Sequence, residues 1–312
     1  MAPCDGIGYA DSRYARSLRD FGTPIELSAS GGWLLERAIP ETDRRDAAGP
    51  YPLFSCRDWA RLPDDLGRLP GDLVSVALVT DPFGAPPEAE LAEIFDVVQP
   101  YKEHLLVDLE RPPETIVARH HRKSARKGLE LLRVERYDPT TELATWERLY
   151  GHLVEKHGIT GVQAFSSTSF RAQAQIPGLV ALKATLGDEV VGMHWYLTAG
   201  SVVYAHLAAL RPDSYEVHAS HALFWSAIEM FAADFRWLDM GAGSGRTASA
   251  DDGLTVFKRG WSSDSAPTYL CGKVIDRDSY GALVSTVAAG SSDYFPAYRA
   301  PNAPATAGRA AP

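Results

Sequence analysis

Cysteine is scarce: Cys4, Cys56 and Cys271 are the only three in 312 residues, far apart, with no CxxC pair and no histidine beside them at ligand spacing. That argues against a disulfide framework and against a cysteine-ligated zinc site. Long apolar runs are also missing. No stretch approaches the roughly eighteen consecutive apolar residues of a membrane helix, and MAPCDGIGYADSRYARSLRDFG lacks the basic start and apolar run of a secretory leader. The chain therefore reads as a cytoplasmic protein with no membrane span. Basic excess is absent too: 31 Lys and Arg against 40 Asp and Glu leave a net charge of −9, so any nucleic-acid contact must be local. No repeat marks a solenoid or propeller, and no GxSxG, HExxH or P-loop supports a serine hydrolase, a zincin or a Walker-type NTPase. The tandem His120-His121 has no further ligands at metal spacing, and no metal is expected.

What remains is ordinary globular material, 45% hydrophobic and 23% charged, enough for a core and long enough for two domains. Helix is expected near Asp11 to Phe21, near Trp59 and over Glu88 to Val97, with strands at Ile25 to Leu27, Trp33 to Ala38, Leu73 to Val79 and Leu105 to Leu109. Helix formers then run from Glu114 to Lys127, and Gly128 stands where a helix would stop, which suggests a domain boundary there. The second half reads as helices at Thr141 to His157 and Thr168 to Gln175, then strands at Leu179 to Leu186, Val190 to Leu197 and Val202 to Leu210 joined by GDE and TAGS. A helix at Ala219 to Ala233 and strands at Trp237 to Met240, Leu254 to Lys258 and Thr268 to Val274 follow, then a helix from Arg277 to Ala289. A meander that passes into alternation suggests an α+β sheet rather than a doubly wound parallel one. The Ala/Pro-rich tail, residues 296–312, lacks the apolar content to pack and is expected to be disordered.

Two segments stand out chemically. LDMGAGSG, residues 238–245, looks like the first motif of a class I methyltransferase, but that fold needs the glycine loop to run straight into a helix, and a strand is expected here. The second is GLTVFKRGW, residues 253–261. Together with LDMGAGSG it resembles the C-terminal signature of the FemABX family, aminoacyltransferases built from two GNAT-like domains. ETIVARHHRKSARKGLELLRVE resembles that family's Arg/Lys-rich helix, and LAALRPDSYEVHASHALFWSAIEMF follows its order of strand, polar loop and apolar helix. The resemblance spans roughly residues 105 to 275, with GPYPLFSC the one similar feature of the N-terminal third.

The resemblance implies two GNAT-like domains, each a mixed, mostly antiparallel sheet flanked by helices. They would be residues 1–127, to which a helix at 276–290 can return, and residues 128–275. It implies a donor carrying an activated acyl group, usually aminoacyl-tRNA and in GNAT relatives acetyl-CoA, with no tightly bound cofactor. The acceptor would be an amine on a small molecule, a peptide or a cell-wall precursor. Lys258 would stabilise the oxyanion at the transfer centre, with Arg259 among the substrate-binding residues; an exposed strand lysine is the plain alternative. On the meander, His194 and Tyr196, then Tyr204 and His206, alternate to one face and would line an acceptor pocket, with His206 or Asp239 taking the amine proton; the plain alternative for each His or Tyr is a core-strand residue with a satisfied hydrogen bond. Arg211 and Tyr215 resemble positions that hold the acceptor, or are surface turn residues.

From Arg119 to Arg136, seven Lys or Arg face only Glu130 and Glu135. Arg122, Lys123, Arg126 and Lys127 would meet tRNA or coenzyme phosphates, unless this is a solvated helix face. The GNAT pyrophosphate signature is absent, since SYEVHASHAL stands in its place, and this favours aminoacyl-tRNA over acetyl-CoA. No heptad-bearing insertion is present, so a compact FemX-like arrangement is expected. An acyl-CoA-dependent N-acyltransferase and a non-catalytic binding protein on the same fold remain the alternatives.

Overall fold

The computed structural model describes residues 8–243, 252–285 and 294–300. Two compact units share the chain: residues 9–101 with those from 268 onward, and residue 8 with 102–267.

The first unit opens with α1 (Ser12–Ser17), whose first amides are capped by Asp11. β1 (Thr23–Leu27), β2 (Gly32–Ala38), β3 (Arg45–Ala48), α2 (Leu62–Leu66), β4 (Leu73–Val79) and α3 (Glu88–Ile94) follow. β1, β2 and β3 pair antiparallel in sequence, and β3 runs parallel to β4. The apolar run LVSVALV is the interior strand expected of it, with Val76 and Leu78 packed among Leu34, Phe54, Leu62 and Leu91. β3 carries no hydrophobic alternation and was not foreseen. It is held instead by the buried carboxylate of Asp46, which accepts from Arg37 and Arg299. Cys56 is buried as a free thiol, as is Cys271 later in the chain.

The second unit begins within β5 (Val97–Asp108), of which residues 102–108 belong to it, and continues with α4 (Pro113–Ile116), α5 (Arg119–Leu131), β6 (Arg133–Tyr137), α6 (Leu143–His157) and α7 (Ser167–Gln173). The meander β7 (Leu179–Leu186), β8 (Glu189–Ala199) and β9 (Val202–Leu210) leads to α8 (Ala219–Phe231), β10 (Trp237–Asp239) and α9 (Gly253–Arg259). Its strands are ordered β5-β10-β9-β8-β7-β6. β6 to β9 pair antiparallel, β10 lies parallel to β9 and antiparallel to β5, so the sheet is mixed and mostly antiparallel. One face packs on α5 and α8 through Tyr196, Val203, Leu223 and Phe231. On the other, Trp146 of α6 lies flat on Trp195, ring centroids 4.0 Å apart. The first unit is completed by residues 270–274 of β11 (Asp264–Val274), which pair antiparallel with β4, and by α10 (Arg277–Ser285), which sets Leu283 against Ile39 and Val74.

Three local expectations are corrected. Gly128 does not end a helix: α5 runs through it to Leu131. A β-carbon there would stand 2.9 Å from the His218 carbonyl oxygen and 3.1 Å from Ala222 Cβ, so the glycine lets α5 and α8 approach. Residues 254–258 form helix, not strand, because Asp252 caps the segment by accepting from the Leu254 amide at 2.9 Å. β5 begins at Val97 rather than near Leu105. The expected domain division after residue 127 falls inside α5, whereas the compact units divide after Tyr101 and after Pro267. Much of the tail expected to be disordered, and residues 286–289 of the last expected helix, lie outside the described residues.

Candidate functional site

Asp239 ends β10 opposite Leu106 of β5, and the chain then turns at Gly241. Gly241 has φ +72°, a left-handed conformation that side chains disfavour. The turn is tied to β5 by bonds from Met240 N to the Leu105 carbonyl (2.9 Å) and from Leu105 N to the Gly241 carbonyl (3.2 Å). Past residues 244–251, Asp252 starts α9, and Lys258 lies in that helix's last turn, where the helix dipole favours a cation.

Lys258 reaches back to the glycine turn. Its Nζ donates to the Ala242 carbonyl at 2.6 Å. Burial lowers its pKa to about 8; Lys102 pushes the same way, while Asp239 and Asp252 oppose the shift. Near neutral pH the ammonium stays charged in a partly desolvated place, where it acts strongly on a developing negative charge. Lys102, on β5, donates to the next carbonyl, Gly243, at 3.2 Å, and burial lowers its pKa as well. Two ammonium groups thus approach consecutive carbonyls of one turn.

The Asp239 carboxylate is held by two groups. Gly241 N donates to Oδ1 at 2.7 Å, and Nδ1 of His104 lies 3.0 Å from Oδ1 and 2.8 Å from Oδ2. His104 is buried on β5, two residues from Lys102 and so on the same face of the strand. Lys102, His104, Asp239, Asp252 and Lys258 therefore surround the Gly241–Gly243 turn. Of these, Lys258 and Asp239 were named from the sequence and the rest were missed. A period-two pattern, Lys102 and His104, was available, but it becomes readable only once the strand is extended back past Leu105.

The remaining expected residues stand elsewhere. His194 and Tyr196 share a face and bond to each other at 3.0 Å, but they point at α8, against Phe224 and Phe231. Tyr204, paired with Leu197, and His206 point to the opposite face, where His206 Nε2 bonds to Gln173 Oε1 of α7 at 2.9 Å. The four do not line one pocket: a bulge lies between β8 and β9 at Trp195/Tyr196, and Tyr204 follows the Leu197 face. Burial lowers the pKa of both His194 and His206 to about 3. Arg211 is engaged by Glu189 at 2.6 Å and Asp213 at 2.5 Å. Tyr215 is exposed, with Lys156 Nζ over its ring, and Arg259 is exposed on α9. His121 is buried and donates from Nε2 to the Phe257 carbonyl at 2.8 Å, anchoring α9 to α5.

On α5, Arg119, Arg122, Lys123 and Arg126 border a groove with Glu114, Leu129, Glu130 and Trp225. Neither these four nor Lys127 forms an ion pair among the described residues. Among the same residues, no group of three or more His, Cys, Asp or Glu is arranged to hold a metal ion, and no helix is long and apolar enough to cross a membrane.

Residues 117–258, which end on Lys258, match the family model described as an acetyltransferase (GNAT) domain. The structure resembles the crystal structure of FemX, with TM-score 0.63 and 12% identity over 87% of this chain and 93% of that one. It also resembles a C-terminal domain described as lysylphosphatidylglycerol synthetase from Agrobacterium fabrum (TM-score 0.61, 13% identity, 85% of this chain and 88% of that one). L-PGS from Bacillus licheniformis gives TM-score 0.58 and 12% identity over 87% of this chain and 94% of that one. No curated protein matches by sequence. The chain has a GNAT-like fold of the kind seen in FemX, and the family match supports an acyl-group transferase.

Proposed function

We propose that this protein is an aminoacyltransferase that moves an aminoacyl group from aminoacyl-tRNA to an amine of a small-molecule, peptide or cell-wall-precursor acceptor, forming an amide. The observation that carries the reading is the partly buried ammonium of Lys258, fixed at 2.6 Å on the Ala242 carbonyl beside the Gly241 turn. Attack of an amine on an ester develops an oxyanion, and a charge already in place stabilises it without reorganisation. The unpaired cations of α5 supply the local positive surface that an RNA donor needs on an acidic chain. The donor is a substrate rather than a tightly bound cofactor, and such a donor places the reaction in the cytoplasm.

The family description favours a second reading, an acyl-CoA-dependent N-acyltransferase. Against it, the segment from Arg211 to His218 ahead of α8 contains no glycine to let backbone amides approach a pyrophosphate.

The test is transfer of labelled amino acids from charged tRNA pools to amine acceptors by the full chain, with Lys258→Ala as control and calorimetry against acetyl-CoA alongside. Lys258→Ala is expected to lose most turnover with an unchanged circular dichroism spectrum, and wild-type transfer to fall as pH rises through about 8, where Lys258 discharges. Near-normal activity in Lys258→Ala would sink the assignment. Saturable micromolar binding of acetyl-CoA would favour the second reading.

A further inference from the structure

We infer that His104 is the base of the transfer step, accepting the proton of the attacking amine at Nε2 while Asp239 fixes the ring from behind. The inference rests on the acyl-transfer reading and adds a residue to it.

A carboxylate only accepts, so the Asp239 contact at 2.8 Å means that Nδ1 of His104 carries the proton and Nε2 presents a lone pair. Asp239 cannot turn away, because its Oδ1 also receives the Gly241 amide at 2.7 Å. Nε2 makes no hydrogen bond to any described residue, and it is not sealed in as Nε2 of His194 is. The same turn whose amide fixes Asp239 also carries the carbonyl that positions Lys258. Base and oxyanion stabiliser are thereby set by one short piece of backbone. His206 does not compete for the role, since its Nε2 is committed to Gln173.

The step balances. The amine nitrogen bonds to the ester carbonyl carbon, the carbonyl electron pair moves to oxygen beside Lys258, and His104 Nε2 takes one proton from the nitrogen. The C–O bond then breaks, and the same proton passes from Nε2 to the departing alkoxide, leaving an amide, an alcohol and a neutral imidazole. Asp239 is a positioning residue that stabilises the transient imidazolium.

Rescue by an outside base separates this role from a structural one. With total aminoacyl-tRNA as donor, ethylamine as acceptor and the uncatalysed rate subtracted, His104→Gln in the full chain should cut kcat about 100-fold or more, leave the KM for aminoacyl-tRNA within about threefold, and regain part of the loss with added imidazole. Activity within about threefold of wild type, or a loss that imidazole does not restore, would overturn the inference. Wild type inactive with aminoacyl-tRNA and with acetyl-CoA alike would remove the acyl-transfer reading itself. Nitrogen-15 NMR of the wild-type histidines tests the geometry without turnover: His104 should show a protonated Nδ1 and a bare Nε2, and the opposite tautomer would overturn the assignment even if His104→Gln fails to fold.

Discussion

The ammonium nitrogen of Lys258 lies 3.3 Å from the point where a β-carbon on Gly241 would sit. Gly241 is also in a left-handed conformation, which costs a side-chain-bearing residue roughly 1–2 kcal/mol. Gly241→Ala therefore has two effects: it strains the turn and pushes Lys258 away from the Ala242 carbonyl. Transfer activity should fall at least tenfold while the melting temperature drops by only a few degrees. A variant with unchanged activity would mean that the position of Lys258 against the turn does not matter to the reaction.

Gly128 and Gly151 make a matched pair. Both lie inside helices, and alanine is intrinsically favoured over glycine there by about 0.5–1 kcal/mol. At Gly151 nothing lies within 4 Å of an added β-carbon, so Gly151→Ala should raise the melting temperature. At Gly128 the added carbon meets the His218 carbonyl at 2.9 Å, a backbone atom that cannot swing aside. Overpacking of that kind typically costs about 1–3 kcal/mol, so Gly128→Ala should lower the melting temperature despite the better propensity. Equal shifts in the two variants would contradict the close approach of α5 and α8.

The same glycine shows where the sequence was legible and where it was not. Apolar runs and turn residues identified the β7–β9 meander and β4, because those signals are local. Gly128 after a run of helix formers has the local form of a helix stop, and only the packing of α8 reveals its use. GLTVFKR is apolar enough to read as strand; its helix depends on the Asp252 cap and on docking to His121 through the Phe257 carbonyl. Lys258 and Asp239 were identified through the family resemblance. His104 carried no motif, and its meaning depends on Asp239, 135 positions away.

Acid should destabilise the fold over a defined range. Burial lowers the pKa of His194 and His206 to about 3 and of His221 to about 4, so all three are neutral in the folded protein. In the unfolded chain they take up protons from about pH 6.5 downward. The unfolded state therefore binds more protons below that point, and the stability present above pH 6.5 is lost progressively as pH falls toward 4. Melting temperatures at pH 7.5, 6 and 5 should decline in that order, and His194→Gln should flatten the slope. A melting temperature constant across that range would contradict the burial of these rings.

The cations of α5 offer the sharpest separation between donor binding and chemistry. Arg119, Arg122, Lys123 and Arg126 border the groove beside Trp225, and no carboxylate neutralises them by an ion pair among the described residues. Each phosphate contact to a single strand contributes about 0.7 to the slope of log affinity against log salt, and about 0.9 on a duplex. Lys123→Glu with Arg126→Glu should weaken binding of charged tRNA, flatten that slope by more than one unit, and affect tRNAs of different sequence alike. The side chains that bond at the Gly241–Gly243 turn are those of Lys258, Lys102 and Asp239, not these, so transfer from a small aminoacyl ester should stay within about twofold of wild type. If tRNA affinity and its salt dependence are unchanged, the basic face is a solvated helix surface and the donor's phosphates bind elsewhere. If the small ester is affected as strongly as tRNA, the substitutions have disturbed α9 through α5, and the melting temperature will report it.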